Sequence, residues 1–278
     1  LYPEPKKPRF PQQIAGNYGA GFVERAGKNT SVARGTLVSV TYFNTWAEYA
    51  VVPEQWLIPL PSNYPVEKAA QFMNLITGWD LVEKTAVQPA RWLLVTAGHS
   101  SVAMIISQLA QRKGVNVKSV VRKARENFDL RSVGATEIIE LSQAEKNLGD
   151  IVANLTEGAG VSGIVDCVGG SLLGDLVPSL AMGGQVIIYG GYRPDTFALH
   201  NFDLLMRNAT ITSYVYRYFF SPPPQTDAMT LLRRIAEISS DDDFQLPVGR
   251  THSLDDFKIA VEEAIRRPEQ GKRMFKME

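Results

Sequence analysis

The hydrophobic and polar positions of this chain fall into three zones with different periods. Up to about residue 64, short β-branched and aromatic runs are broken by Gly and Pro: Gly19-Ala-Gly-Phe-Val23, Thr36-Leu-Val-Ser-Val-Thr-Tyr42 and Ala47-Glu-Tyr-Ala-Val-Val52. Runs of this kind, bounded by turn residues, predict strands of a small β-rich unit. From Pro65 the pattern changes. Val66–Glu83 repeats its apolar positions with a helical period, after which strand-like and helical stretches alternate. Trp92–Thr96 reads as a buried strand, Ser101–Arg112 as a helix stopped before Gly114, and Val117–Val121 as a second strand. Asn127–Val133 reads as a helix ending at Gly134, with Glu137–Glu140 and Ile164–Cys167 as the third and fourth strands. Leu172–Leu180 reads as a helix halted by Gly183-Gly184, Gln185–Tyr189 as a fifth strand and Ala209–Tyr214 as a sixth. Such alternation predicts an α/β fold, with parallel strands joined by right-handed crossovers in a doubly wound sheet. The third zone opens at Pro222-Pro-Pro224. It holds helices at Ala228–Ser239 and Asp255–Arg266, the second capped by Ser253. Gly271–Met277 reads as a closing strand that returns to the first zone. Residues 1–64 and 219–278 would then form one discontinuous domain around a central domain of 65–218.

Composition narrows the partners. The chain has 278 residues, 45% of them hydrophobic and 21% charged, the balance of an ordinary globular protein with a sizeable core. Lys plus Arg and Asp plus Glu both number 29, so no global basic excess exists to hold a polyanion. That counts against nucleic acid as the main partner. The single cysteine, Cys167, cannot form an internal disulfide or supply a thiolate cluster, and His99, His200 and His252 are scattered. No metal site is expected. The lone cysteine also points by default to a reducing compartment. Apolar runs fall well short of the roughly 20 residues that span a bilayer, so no membrane partner is expected. The chain opens at Leu1 inside a Pro-rich phrase, and further residues are expected before it.

The first strand of the alternating zone runs into Ala97-Gly-His-Ser-Ser-Val-Ala103 and then a helix. A dinucleotide-binding fold seats its pyrophosphate on free N–H groups at such a helix start. The usual glycine pattern is depleted: Gly98 is present, while Ser101 and Ala103 stand where glycines could sit. A plain helix cap explains this loop equally well. The second strand ends in Val120-Val-Arg-Lys123. An NAD site would place a carboxylate there for the ribose 2′-OH, whereas a guanidinium suits a 2′-phosphate. Arg122 and Lys123 therefore favour NADPH over a merely solvated basic edge. Two glycine turns, Cys167-Val-Gly-Gly170 and Tyr189-Gly-Gly191, follow the fourth and fifth strands, where ligands of such sheets bind. Cys167 reads as a small core residue rather than a nucleophile, because no activating base is near in sequence. The aromatic run Tyr214, Tyr216, Tyr218, Phe219, Phe220 serves equally as core packing or as a wall of a ligand site.

With these residues in hand, the chain resembles the medium-chain dehydrogenase/reductase superfamily. The resemblance runs along essentially the whole chain and is nearest to its zinc-free branch, which includes NADPH:quinone oxidoreductases and trans-2-enoyl thioester reductases. The phrases that carry it are Leu1-Tyr-Pro3, Gly16-Asn-Tyr-Gly19, Thr45-Trp-Ala-Glu-Tyr49, Asn74-Leu-Ile-Thr77, Val120-Val-Arg-Lys123, Asp166-Cys-Val-Gly-Gly170, Tyr189-Gly-Gly191 and Gly271-Lys272. The resemblance implies a Rossmann domain plus a smaller β-rich, GroES-like catalytic domain truncated at its N-terminus. It implies that Asn74 and Thr77 lie near the nicotinamide end of NADPH, and that His99, Ser100, Ser101 and Val102 hold the pyrophosphate. Arg122 and Lys123 would meet the 2′-phosphate. Tyr189, Gly190, Gly191 and Tyr192, then Tyr214, Val215 and Tyr216, would line the cofactor, and Lys272 would close over it. Tyr2 falls near the place of the family's proton donor and is the candidate catalytic residue. The small-molecule substrate implied is an enoyl thioester, with a quinone as the alternative and a cofactor-binding protein without catalysis as a further one. A homodimer formed through the Ala209–Tyr214 edge is implied too, in the cytoplasm or, in a eukaryote, the mitochondrial matrix.

Overall fold

A parallel sheet of six strands runs through the middle of the chain, in the order β6-β5-β4-β7-β8-β9. Its strands are β4 (Trp92–Val95), β5 (Asn116–Val121), β6 (Glu137–Glu140), β7 (Val161–Asp166), β8 (Leu180–Ile188) and β9 (Thr210–Ser213). The computed structural model describes residues 14–143, 148–219, 222, 227–246, 248–267 and 270–277. Strand order reverses direction between β4 and β7, which creates the crevice where α/β sheets bind ligands. Side chains alternate across the sheet with a period of two. Leu93, Val95, Val117, Val165 and Ile187 face one way, onto α2 (Phe72–Thr85) and α3 (Ser101–Arg112). Leu94, Val120, Ile139, Ile164 and Val186 face the other, onto α4 (Leu148–Leu155) and α5 (Ser171–Leu176). Gly78 lets α2 lie against α3, since a Cβ there would collide with Ile105.

A buried cation is built into this layer. Lys118 in β5 is fully buried. Its ammonium sits 3.5 Å from the centroid of the Trp92 ring and donates to the Leu155 carbonyl at 3.2 Å. Burial lowers its pKa, with Glu137 opposing. The cation–π contact and the carbonyl replace the water it has lost.

The flanking regions are thinner. β1 (Gly19–Phe22), β2 (Leu37–Val40) and β3 (Leu57–Pro59) form an antiparallel sheet, and β10 (Val248–His252) pairs in parallel with β11 (Lys272–Phe275). The expected return of the closing strand to the first zone is a side-chain contact: the Phe275 ring meets the Trp46 ring edge-on at 4.8 Å. No strand forms over Ala47–Val52, where Tyr49 is 77% and Val51 97% exposed. The third strand is Leu57–Pro59 instead, because its Ile58 reaches the core and the earlier run does not.

Other expectations shift in detail. The long helix from Val66 breaks at Ala70 and Gln71 into α1 (Val66–Ala69) and α2. Asn127–Val133 shortens to one tight turn, Leu130–Val133, because the Asp129 carboxylate takes the Arg131 N–H at 3.0 Å and starts the chain there. The expected Leu172–Leu180 helix closes at Leu176, and β8 begins at Leu180. The last long helix, α8 (Phe257–Arg266), has Asp256 at its cap position rather than Ser253. Ser253 donates its hydroxyl to the Asp256 carboxylate at 3.0 Å instead. The connections between β8 and β10 carry α6 (Asn201–Leu205) and α7 (Asp227–Ser240).

Candidate active site in the sheet crevice

Two strand ends frame the crevice, and a buried carboxylate ties them together. Asp166, last residue of β7, accepts from the Thr96 hydroxyl at 2.9 Å, from Val168 N–H at 3.1 Å and from Gly169 N–H at 3.0 Å. The Thr96 oxygen in turn accepts the Cys167 N–H at 2.7 Å. The loops after β4 and β7 are thus held as one unit. Ala97 begins the first loop in a left-handed conformation, φ +52°, which a residue with a Cβ adopts only under constraint. Ser100 caps α3 by accepting the Ala103 N–H at 3.2 Å, while Val102 is buried and His99, Ser100 and Ser101 are half-buried. Gly98 packs against β5, where a Cβ would press on Ser119 and Val121. The surviving glycine therefore serves strand contact.

Arg122 and Lys123 project at the carboxyl end of β5. Both are exposed, and neither is paired with a carboxylate among the described residues. On the other side, the two glycine turns pack on each other. A Cβ on Gly190 would strike the Cys167 carbonyl, and one on Gly169 would press on Gly190, while Gly191 faces open space. Tyr192 points away, 91% exposed. The Cys167 thiol is pushed up by burial, beside Asp166.

Above these turns the side chains are phenols. Tyr214 continues the β8–β9 pairing, its N–H donating to the Ile188 carbonyl at 3.0 Å, and its ring lies 6.1 Å from that of Tyr189. From Tyr214 the chain alternates: Tyr216 and Tyr218 are buried and meet edge-on at 5.7 Å, while Val215 and Phe219 are exposed. Tyr216 and Tyr218 of the aromatic run therefore pack in the core. Asn74 and Thr77 are buried on α2, and Asp80, one turn further, holds Tyr214 and Arg217. Lys272 of β11 keeps contact with solvent, yet crowding lowers its pKa.

Tyr18 was not among the candidates from sequence. Its loop is clamped: the Thr45 hydroxyl donates to the Tyr18 carbonyl at 3.0 Å, and Gly16, at φ +92°, leaves no room for a Cβ beside Trp46. Burial raises the Tyr18 pKa. Burial also pushes Tyr189 up to about 12, with Cys167 and Tyr18 adding to it, and Tyr216 is raised chiefly by burial, with Tyr218 and Tyr18 contributing. Tyr18 is therefore close enough to both phenols for their charges to be felt. Its place inside the Gly-Asn-Tyr-Gly phrase was the available signal. Tyr2 lies outside the described residues.

Comparison with known proteins agrees with this architecture. The family model for zinc-binding dehydrogenases matches residues 101–237. The mitochondrial enoyl-[acyl-carrier-protein] reductase of Xenopus tropicalis is 26% identical over 271 residues, covering 92% of this chain and 76% of the relative. An NADPH quinone oxidoreductase of Kluyveromyces marxianus is 31% identical over 197 residues, 65% of this chain and 52% of the relative. The structure of Escherichia coli quinone oxidoreductase complexed with NADPH superposes with a TM-score of 0.84 at 20% identity, over 99% of this chain and 84% of that one. The chain is similar to members of the medium-chain dehydrogenase/reductase superfamily. The relatives named are oxidoreductases, and the matching family model is that of zinc-binding dehydrogenases. The donor set here does not fit zinc: among the described residues no group of three or more His, Cys, Asp or Glu could hold a metal, and burial pushes up the pKa of the single Cys167 thiol. Among the described residues no helix is long and apolar enough to cross a membrane.

Proposed function

We propose that this protein is a member of that superfamily and an NADPH-dependent, zinc-independent reductase of C=C bonds conjugated to a carbonyl, with a trans-2-enoyl thioester as substrate. The observation that carries the cofactor choice is the exposed, unpaired Arg122–Lys123 step at the end of β5, where a carboxylate would repel a 2′-phosphate. The α3 start at Ser100–Val102 would take the pyrophosphate. Asn74, Thr77, Tyr189 and Tyr214–Tyr216 would surround the nicotinamide end, and Lys272 would close the site. The likeness to enoyl reductases supports the thioester reading.

When bound, NADPH supplies a hydride to the β-carbon. The chain's own residues must then steady charge on the carbonyl oxygen and deliver a proton to the α-carbon. Phenols suit both tasks, since burial keeps them protonated at neutral pH. Tyr2 is the proposed proton donor. The hydride's own electron pair would make the β C–H bond, and the C=C π pair, held as the enolate, would make the α C–H bond with this proton. The second reading, quinone reduction, is favoured by the Kluyveromyces relative and needs no carbon acid. We also propose that 1–64 with 219–278 and 65–218 form the two domains, and that two copies pair through the β9 edge. The mitochondrial relatives support a matrix location in a eukaryote.

NADPH oxidation measured with crotonyl-CoA and with 1,4-benzoquinone tests the reading. Turnover of the thioester, lowered about 10²–10³-fold by Tyr2→Phe with NADPH affinity kept, is the expected result. Turnover of the quinone alone moves the assignment to the second reading. Cofactor binding without turnover of either leaves a non-catalytic binder.

A further inference from the structure

At the end of the sheet opposite the crevice, the last turn of α2 and the amino ends of β4, β7 and β8 border a cavity of about 380 Å³. That is room for a small molecule, whose sites run from roughly 300 to 1,000 Å³. Arg91, Ser162 and Gln185 line it, and among the described residues none of the three makes a side-chain hydrogen bond or ion pair. Among the described residues the lining holds no carboxylate. The chain that carries Arg91 is fixed. Ala86 ends α2 at φ +49°, and Ala90 stands at φ +63°, conformations that a residue with a Cβ keeps only where its surroundings hold it. Ala90 donates its N–H to the Gly114 carbonyl at 2.7 Å, and the Arg91 carbonyl accepts the Asn116 N–H at 2.9 Å. On the other wall, β7 and β8 change register between Val161 and Gly163, beside Ser162. Gly163 adds no side chain there, and a Cβ on it would strike Val87.

The donors name the ligand's chemistry. A guanidinium presents a planar fork that matches both oxygens of a carboxylate. One cation without an acid beside it suits a single negative charge, and a phosphoryl group carries more than that at neutral pH. A serine hydroxyl and a glutamine amide can each donate and accept, so they suit a hydroxyl or a carbonyl on the same ligand. Val87, Ala159 and Met182 supply apolar wall, with Met182 75% exposed at the rim. We propose that this cavity is a second ligand site, for a short organic carboxylate that carries a hydroxyl or keto group. Arg91 holds the carboxylate, and Ser162 and Gln185 hold the second polar group. The site is separate from the crevice, which lies beyond Asp166 and Ile188 at the other ends of the same strands. It does not depend on which cofactor or substrate the crevice takes.

Met182 is the reporter for the experiment. Protein labelled with carbon-13 at its methionine methyl groups is titrated with 3-hydroxybutanoate, with 3-hydroxybutanamide, which keeps the shape and loses the charge, and with inorganic phosphate. Met182→Leu assigns the Met182 signal in the NMR spectrum. The expected result is a saturable movement of that signal with 3-hydroxybutanoate and none with the other two. Arg91→Gln should weaken the binding by about 10–100-fold, the range of a charged hydrogen bond, and Ala159→Trp, which fills the mouth, should prevent it. Both positions are exposed, so the fold should hold, and melting curves check that it does. If one variant fails to fold, the other carries the test. No saturable movement overturns the site, as does equal binding of the amide or a folded variant that binds like wild type. Phosphate bound as tightly as 3-hydroxybutanoate overturns the carboxylate assignment.

Discussion

The six-stranded layer and the small sheets beside it are built on opposite terms. In the layer, the inner strands β4, β5, β7 and β8 pack on both faces, and Leu93, Leu94 and Val95 in succession are fully buried. In the small antiparallel sheet, Leu37 and Val38 are buried while Phe22 of the neighbouring strand is 62% exposed. The first region gets its order from its own elements. The second depends on contacts made by residues far away, such as Trp46 against Phe275. The difference teaches where chemistry can be anchored: the crevice loops rise from the rigid layer, and the thin region brings Tyr18 to them.

The largest effect should come from the layer itself. Leu94→Ala leaves a hole between the sheet and its α4–α5 face and should cost about 2–5 kcal/mol in urea unfolding. A cost below 1 kcal/mol would mean the layer can collapse around the gap. At the crevice edge, Arg122→Ala should weaken NADPH binding by about 10–100-fold and leave NADH nearly unchanged. Equal loss for both cofactors would remove the 2′-phosphate from this position. Ala97→Gly relieves the left-handed strain at the start of the loop after β4 and should stabilise the fold by about 0.5–1 kcal/mol, read as a raised melting temperature. No gain would mean that the Thr96–Asp166 clip determines that geometry at no cost. Phe22→Ala, in the thin sheet, should stay within about 0.5 kcal/mol of wild type. A loss as large as that of Leu94→Ala would show that the two regions are not so different.

The same contrast governs what could be read from sequence. Ser101–Arg112 and Glu137–Glu140 emerge at the expected residues, since a buried helix and parallel strands write continuous apolar patterns into the chain. Ala47–Val52 shows a similar local pattern but finds no partner strand, and β propensity without a partner does not make a sheet. The helix α4 went unseen because it is short and has Gly149 in its first turn. Arg122, Lys123 and the strand-end glycines could be placed after their strands from sequence because topology fixes where strands end. Asp80 and Arg217 could not: they lie 137 positions apart, and no local period joins them. The regular Asn74–Thr77–Asp80 spacing on an otherwise apolar helix was the one trace they left.

Lys118 gives the molecule a gauge of its own motion. Its amine is sealed between Trp92 and the Leu155 carbonyl, out of reach of any acylating reagent in the closed sheet. Exposed lysines are modified at once, but this one can react only when β5 parts from its cover. The rate at which Lys118 gains label therefore clocks the rarest openings of the layer, and a bound ligand that braces the crevice should slow that clock.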